Sequence, residues 1–155
     1  MTAEELVRRY VAGERDFSGV DLGDTDFSYI GLIQDGSSEV DLSGINLSGA
    51  VLDQAYMEGI NLSGANLINA YMGQACLERG NLQGADLSGA SLGHAILRKA
   101  NLTGVKLVNA YLGGAYMPGA NLTEVDLTGV QEWERVGIEN CIFCNTIMPD
   151  GSVHQ

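Results

Sequence analysis

The chain has 155 residues, 45% of them hydrophobic and 18% charged, with 20 acidic against 8 basic side chains and a net charge of −12. That length is expected to make one domain, 1–155, and the acidic balance argues against direct nucleic-acid binding. Three scattered cysteines and two histidines argue against a disulfide framework and against a zinc site, which needs about four N or S ligands.

Residues 2–12 read as a short helix. Thr2 and Glu5 have capping-box spacing, Leu6, Val7, Tyr10 and Val11 form an apolar face, and Gly13 can end it. Glu4 and Glu5 balance Arg8 and Arg9, which disfavours a membrane-surface helix; a cap on the structure that follows is the expectation. Residues 1–15 lack the apolar stretch of a signal peptide, and no run of about eighteen apolar residues occurs. The expected location is therefore the cytoplasm, without a membrane span.

From residue 16 to 128 the chain keeps a strict beat of five. Leu, Phe or Met occupies every fifth position from Phe17 to Leu127, and only Ser37 of these 23 breaks the rule. Neither a helix (period about 3.6) nor a strand (period about 2) needs such a period, so one small unit is repeated. Two residues before each centre stands a small or β-branched residue, and Asp or Asn often precedes the centre directly, giving Ala-(Asp/Asn)-Leu-(Ser/Thr)-Gly. Centre and small residue point the same way, as a short extended stretch requires. Gly two after the centre suits a turn that needs φ > 0. Each pentapeptide is thus one edge and one corner, and stacked coils bury a column of Leu, including Leu42, Leu62, Leu82, Leu102 and Leu122.

Sorting by twenties argues for four edges per coil. One column reads Asp21, Asp41, Asn61, Asn81, Asn101, Asn121 and the next Asp26, Asn46, Asn66, Asp86, Lys106, Asp126. The other two contain Val51, Tyr71, Ser91, Tyr111 and Tyr56, Cys76, Ile96, Tyr116. With this pattern the sequence resembles the pentapeptide-repeat family over about residues 16–150. The resemblance implies an all-β fold, a right-handed quadrilateral β-helix, here with six to seven coils. It implies no reaction.

The pentapeptide 35–39 lacks both inward apolar residues but keeps the spacing, so it is expected to fray at the first coil, with no inserted residues to make a loop. Residues 129–150 form an irregular last coil. There the register shifts by one, the centres become Trp133, Ile138, Phe143 and Met148, and Val136, Cys141 and Thr146 turn inward. A short helical turn within 129–132 is the alternative. Cys141 should point inward and Cys144 outward, against a disulfide. The run from Phe143 to Gly151 resembles the ending of many cyanobacterial members of the family.

No catalytic, cofactor-binding or metal-binding residues emerge. The carboxylates follow the beat of five, each Gly is explained by a corner, and a Leu-filled rod leaves no ligand-sized pocket, so the chain reads as a non-enzyme. Ten carboxylates and no Lys or Arg lie between Asp16 and Glu78, about one per 1.5 Å of rod, close to the charge spacing of duplex DNA. Some family members are DNA mimics that bind gyrase, which makes an acidic DNA-mimic inhibitor or protector of DNA gyrase or topoisomerase the alternative function. The carboxylates, however, spread over four faces rather than one stripe. The favoured reading is a rod that binds an unidentified protein partner, or a second copy as a homodimer. Its contact face would be Val51, Tyr56, Tyr71, Cys76, Ile96, Tyr111 and Tyr116, with Glu58, Glu78 and Arg98 beside it.

Overall fold

The computed structural model of the protein describes residues 1–27 and 40–155. The pentapeptide 35–39, with Ser37, lies outside the described residues. Helix α1 spans Ala3–Val11. Thr2 Oγ1 accepts the Glu5 N–H at 3.2 Å, and Glu4 and Glu5 stand at the positive end of the helix dipole. Ala3, Leu6, Val7 and Tyr10 are buried in the same core as the repeats. Val11, expected on that face, is exposed, because the helix ends there and the chain turns away through Gly13 at φ 102°.

Above residue 40 the chain winds in coils of twenty residues. Parallel bridges link Asp41, Asn61, Asn81, Asn101 and Asn121 into an asparagine wall, and Asn46, Asn66, Asp86, Lys106 and Asp126 into a charged wall. Val51, Tyr71, Ser91, Tyr111 and Gln131 form a tyrosine wall, and Tyr56, Cys76, Ile96 and Tyr116 an isoleucine wall. Backbone bonds run between coils, as in Leu62 N–H to Asn81 O at 2.7 Å and Asn81 N–H to Ile60 O at 2.9 Å. At the corners the residue two after the centre takes positive φ, 66° at Gly44, as its Gly predicts. Leu42, Leu62, Leu82, Leu102 and Leu122 are at most 2% exposed. Burying each contributes about 1.5–3 kcal/mol before chain entropy is subtracted.

The first coil departs from the expected columns. Asp16 pairs with Asn46, Asp21 with Val51 and Asp26 with Tyr56, each thirty residues on rather than twenty. Asp21 therefore lies on the tyrosine wall and not under Asp41, and Asp26 lies on the isoleucine wall and not under Asn46. The expected step of twenty is corrected for this coil: its step is thirty, ten residues more than the later coils use. Two whole pentapeptides leave a count by fives undisturbed, which is why the beat conceals them.

The helix ties into the asparagine wall at this level. Tyr10 Oη donates to Ser43 O at 2.7 Å. The equivalent carbonyls of later coils, Ser63, Gln83, Thr103 and Thr123, accept backbone N–H groups of Gly44, Gly64, Gly84 and Gly104 at 2.8–2.9 Å. Tyr10 is held in turn by the Arg15 guanidinium, 3.9 Å above its ring centroid.

At the other end the one-residue shift is present. Tyr111 pairs with Gln131, but Tyr116 pairs with Gly137, Asn121 with Ile142 and Asp126 with Ile147, a step of twenty-one. The extra residue is taken up by a 3₁₀ turn, Trp133–Arg135, preceded by Glu132 at φ 59°. The shift and the helical turn are one feature. Thr146 is fully buried and donates to Leu122 O at 2.6 Å; Trp133, Val136, Cys141, Phe143 and Met148 pack partly buried on the core. Ile138 is exposed, having no further coil beyond it. Strands β1 (Thr146–Ile147) and β2 (Val153–His154) pair antiparallel around Asp150, whose Oδ1 accepts the Ser152 N–H at 2.9 Å.

Candidate interaction surface

The asparagine and charged walls satisfy their own polar groups. Asn61 Nδ2 donates to Asp41 Oδ1 at 2.9 Å, and Asn81 to Asn61 and Asn101 to Asn81 at 3.2 Å. Each Oδ1 also accepts a backbone N–H two residues on, from Ser63, Gln83 and Thr103. These bonds knit neighbouring coils at the surface. On the charged wall Lys106 Nζ stands 3.7 Å from Asp86 Oδ2, and Asp86 Oδ1 accepts the Ser88 N–H and hydroxyl at 3.0 and 2.6 Å. Partial burial pushes the Asp86 carboxyl up, but the Ser88 bonds and the Lys106 charge outweigh it and hold the group below the ordinary range. Asp16 is also held low, chiefly by the Ser18 backbone N–H and hydroxyl, despite some desolvation and with help from Asn46.

The other two walls are different in kind. Tyr56, Tyr71, Ile96, Tyr111 and Tyr116 are 37–54% exposed, and Val51 and Cys76 between them are half-buried. All seven expected contact residues thus lie on two adjacent walls. The corner joining these walls carries Gly73, Gly93, Gly113 and Gly114 together with Asp53, Gln54, Gln74 and His94, of which Gln54, Gln74 and His94 are exposed between the columns. These glycines also seat side chains. A Cβ at Gly93 would lie 3.0 Å from Tyr111 Cε1, one at Gly113 would overlap the Tyr111 hydroxyl, and one at Gly137 would lie 2.8 Å from Tyr116 Cδ2. Tyr111 and Tyr116 are therefore packed down on the coils. Tyr71, at 54% exposed, stands furthest into solvent.

Sequence reasoning missed these seats; the pairing of Tyr111 with Gly93 and Gly113 was the available signal. It also missed Arg79. On the corner beyond the isoleucine wall Glu58 pairs with Arg79 and accepts the Tyr56 hydroxyl, and Glu78 lies 3.7 Å from Arg98. A charged rim borders the apolar surface.

Four of the acidic residues of the first two coils occupy four different walls: Asp16 the charged, Asp21 the tyrosine, Asp26 the isoleucine and Asp41 the asparagine wall. They form no single stripe. Among the described residues no three His, Cys, Asp or Glu side chains converge as a metal site requires, and no helix is long and apolar enough to cross a membrane. Cys76, Cys141 and Cys144 are free thiols. Burial pushes the Cys141 thiol up against the opposing Ala120 and Gly119 backbone bonds, and its Sγ donates to Met117 O at 3.0 Å. An open hollow of about 290 Å³, lined by Trp133, Met148, Pro149, Asp150 and Ser152, lies at the last coil, outside the Leu-filled rod.

The family profile Pentapeptide repeats matches eight copies, at residues 45–84, 81–116 and 106–131. No curated protein sequence matches significantly. Among solved structures, HetL from the cyanobacterium Nostoc, a pentapeptide repeat protein involved in heterocyst differentiation regulation, is 20% identical with a TM-score of 0.51, over 99% of this chain and 100% of its own. A pentapeptide repeat protein of the cyanobacterium Cyanothece is 32% identical over 83% of this chain and 87% of its own, with a TM-score of 0.39. One from the Arabidopsis thaliana thylakoid lumen is 35% identical over 72% of this chain and 68% of its own, with a TM-score of 0.26.

Proposed function

Since the chain belongs to the pentapeptide-repeat family, whose fold is the right-handed β-helix, we propose that it is a non-catalytic interaction rod that binds a protein partner through its tyrosine and isoleucine walls. The observation that carries this reading is the asymmetry of the surface. Two walls bond their side chains to themselves, while two adjacent walls leave Tyr56, Tyr71, Ile96, Tyr111 and Tyr116 open beside a charged rim. Contiguous apolar surface with a polar border is the usual form of a protein contact. In this reading residues 1–155 act as one domain, α1 caps the first coil, and 129–150 close the last. Free Cys76, Cys141 and Cys144 suit the reducing cytoplasm.

The test is affinity capture from the producing cells with the wild-type rod and with Tyr56→Ser/Tyr71→Ser. A protein retained by the wild type and lost by an equally folded variant is expected; identical capture by both contradicts the assigned face. DNA gyrase supercoiling is expected to be unaffected, because the carboxylates are dispersed over four walls. Inhibition would favour the acidic topoisomerase inhibitor instead.

A further inference from the structure

We propose that the isoleucine wall binds a second copy of this chain running antiparallel to it. The proposal rests on the interaction-surface reading and names the occupant of that surface.

The wall is close to palindromic along the rod. Between Asp26 and Gly137 at its ends it reads Tyr56, Cys76, Ile96, Tyr116, and the two tyrosines are three coils apart, about 14 Å. A two-fold axis lying across the wall between Cys76 and Ile96 sets Tyr56 against the partner's Tyr116 and Cys76 against the partner's Ile96.

Charge selects the antiparallel direction. The rim residues at equivalent places of successive coils are Glu58, Glu78, Arg98 and Pro118. The same axis brings Glu78 to the partner's Arg98 and Arg98 to the partner's Glu78. With the Glu78–Arg98 pair of each chain, 3.7 Å apart, this closes a square of alternating sign. A parallel pair, related by an axis along the rod, would place Glu78 opposite the partner's Gln74 and form no ion pair. Antiparallel packing also sets the acidic first coils at opposite ends of a pair whose chains each carry −12. One like-charge juxtaposition, Arg79 near the partner's Lys99, falls on the far side of the corner, where Arg79 is engaged by Glu58. One wall of four coils is a small contact, well below the standard interface of about 800 Å² per partner, so the dimer is weak and concentration-dependent.

Sedimentation equilibrium tests this on the full chain at concentrations up to about 1 mM. The wild type is expected to dimerise, and Glu78→Arg and Arg98→Glu, each alone, to weaken dimerisation about tenfold or more by opposing like charges. An equimolar mixture of these two variants is expected to dimerise like the wild type, because each supplies the charge the other lacks. Thermal melts of the separate variants check their folding, and recovery on mixing cannot arise from a folding defect. A wild type that stays monomeric, single variants that dimerise undiminished, or a mixture that does not recover would overturn the proposal. A monomeric wild type whose partner capture still depends on Tyr56 and Tyr71 overturns self-association alone and leaves the interaction rod standing.

Discussion

The asparagine wall and the isoleucine wall rest on one core and one backbone ladder, yet they treat their outward side chains in opposite ways. On the asparagine wall the amides of Asn61, Asn81 and Asn101 bond both along the stack and toward their own turns, as Asn81 shows with Asn61 and Gln83. On the isoleucine wall Tyr56, Ile96 and Tyr116 stay 38–49% exposed and form no ladder along the stack. The difference teaches that a repeat can hold its coils together without consuming every wall. What one wall does not need for cohesion is free for recognition.

The comparison breaks first at the core, where the walls should be equal. Leu82→Ala under the asparagine wall and Leu97→Ala under the isoleucine wall are each expected to cost about 2–5 kcal/mol, since both side chains are at most 2% exposed. Denaturant melts check this, and a mid-rod change such as Leu82→Asp should abolish the cooperative transition altogether. A smaller effect is expected at the corner between the charged and tyrosine walls. There Gly89 has φ 69°, and a Cβ would overlap Asn69 Oδ1, so Gly89→Ala should cost at least about 1–2 kcal/mol by thermal melting.

Outside the core the walls should diverge. Asn81→Ala removes two rungs of the ladder and a turn bond, and is expected to cost about 1 kcal/mol or somewhat more. Tyr71→Ser should stay within about 0.5 kcal/mol of the wild type, because its side chain stands in solvent. Equal losses at the two positions would erase the distinction between the walls.

Of the four walls, acid should act through the polar pair, and beyond the walls through Glu14 and Asp150, which Arg9 and Ser152 also hold low. Asp86 and Asp16 have carboxyls held low in the folded state, so the unfolded chain takes up their protons first as pH falls. Their stabilisation is complete above the ordinary carboxylate pKa of about 4 and is lost as pH drops through the lower folded values. Asp86→Asn should flatten that acid limb of a melting-temperature profile, whereas Tyr71→Ser should leave its shape unchanged. The smallest expected difference is chemical: exposed Cys144 should be alkylated before Cys141, whose burial keeps it a thiol.

Much of this was legible in the residues. The beat of five from Phe17 to Leu127 is the imprint of one side chain per edge entering the core, and the columns at twenty are the imprint of four edges closing a coil. The shift near Trp133 was legible because one residue changes the phase. The enlarged first coil was not, because ten residues are two complete units and return every centre to phase. Asp21 and Asp26 were consequently read onto the wrong walls. The Tyr10–Ser43 bond was also hidden, since it joins a helix to a coil by docking, which no periodicity records. For the surface, Tyr56, Tyr71, Ile96, Tyr111 and Tyr116 were found by column. That Tyr111 lies down on Gly93 while Tyr71 stands up required side-chain geometry.

The central claim is that recognition belongs to the tyrosine and isoleucine walls. Oxidative footprinting of the rod alone and in extract of the producing cells tests it residue by residue. Protection of Tyr56, Tyr71 and Tyr116 on binding is the predicted result; unchanged labelling of all three, while Trp133 or Met148 at the end of the rod becomes protected, would contradict it.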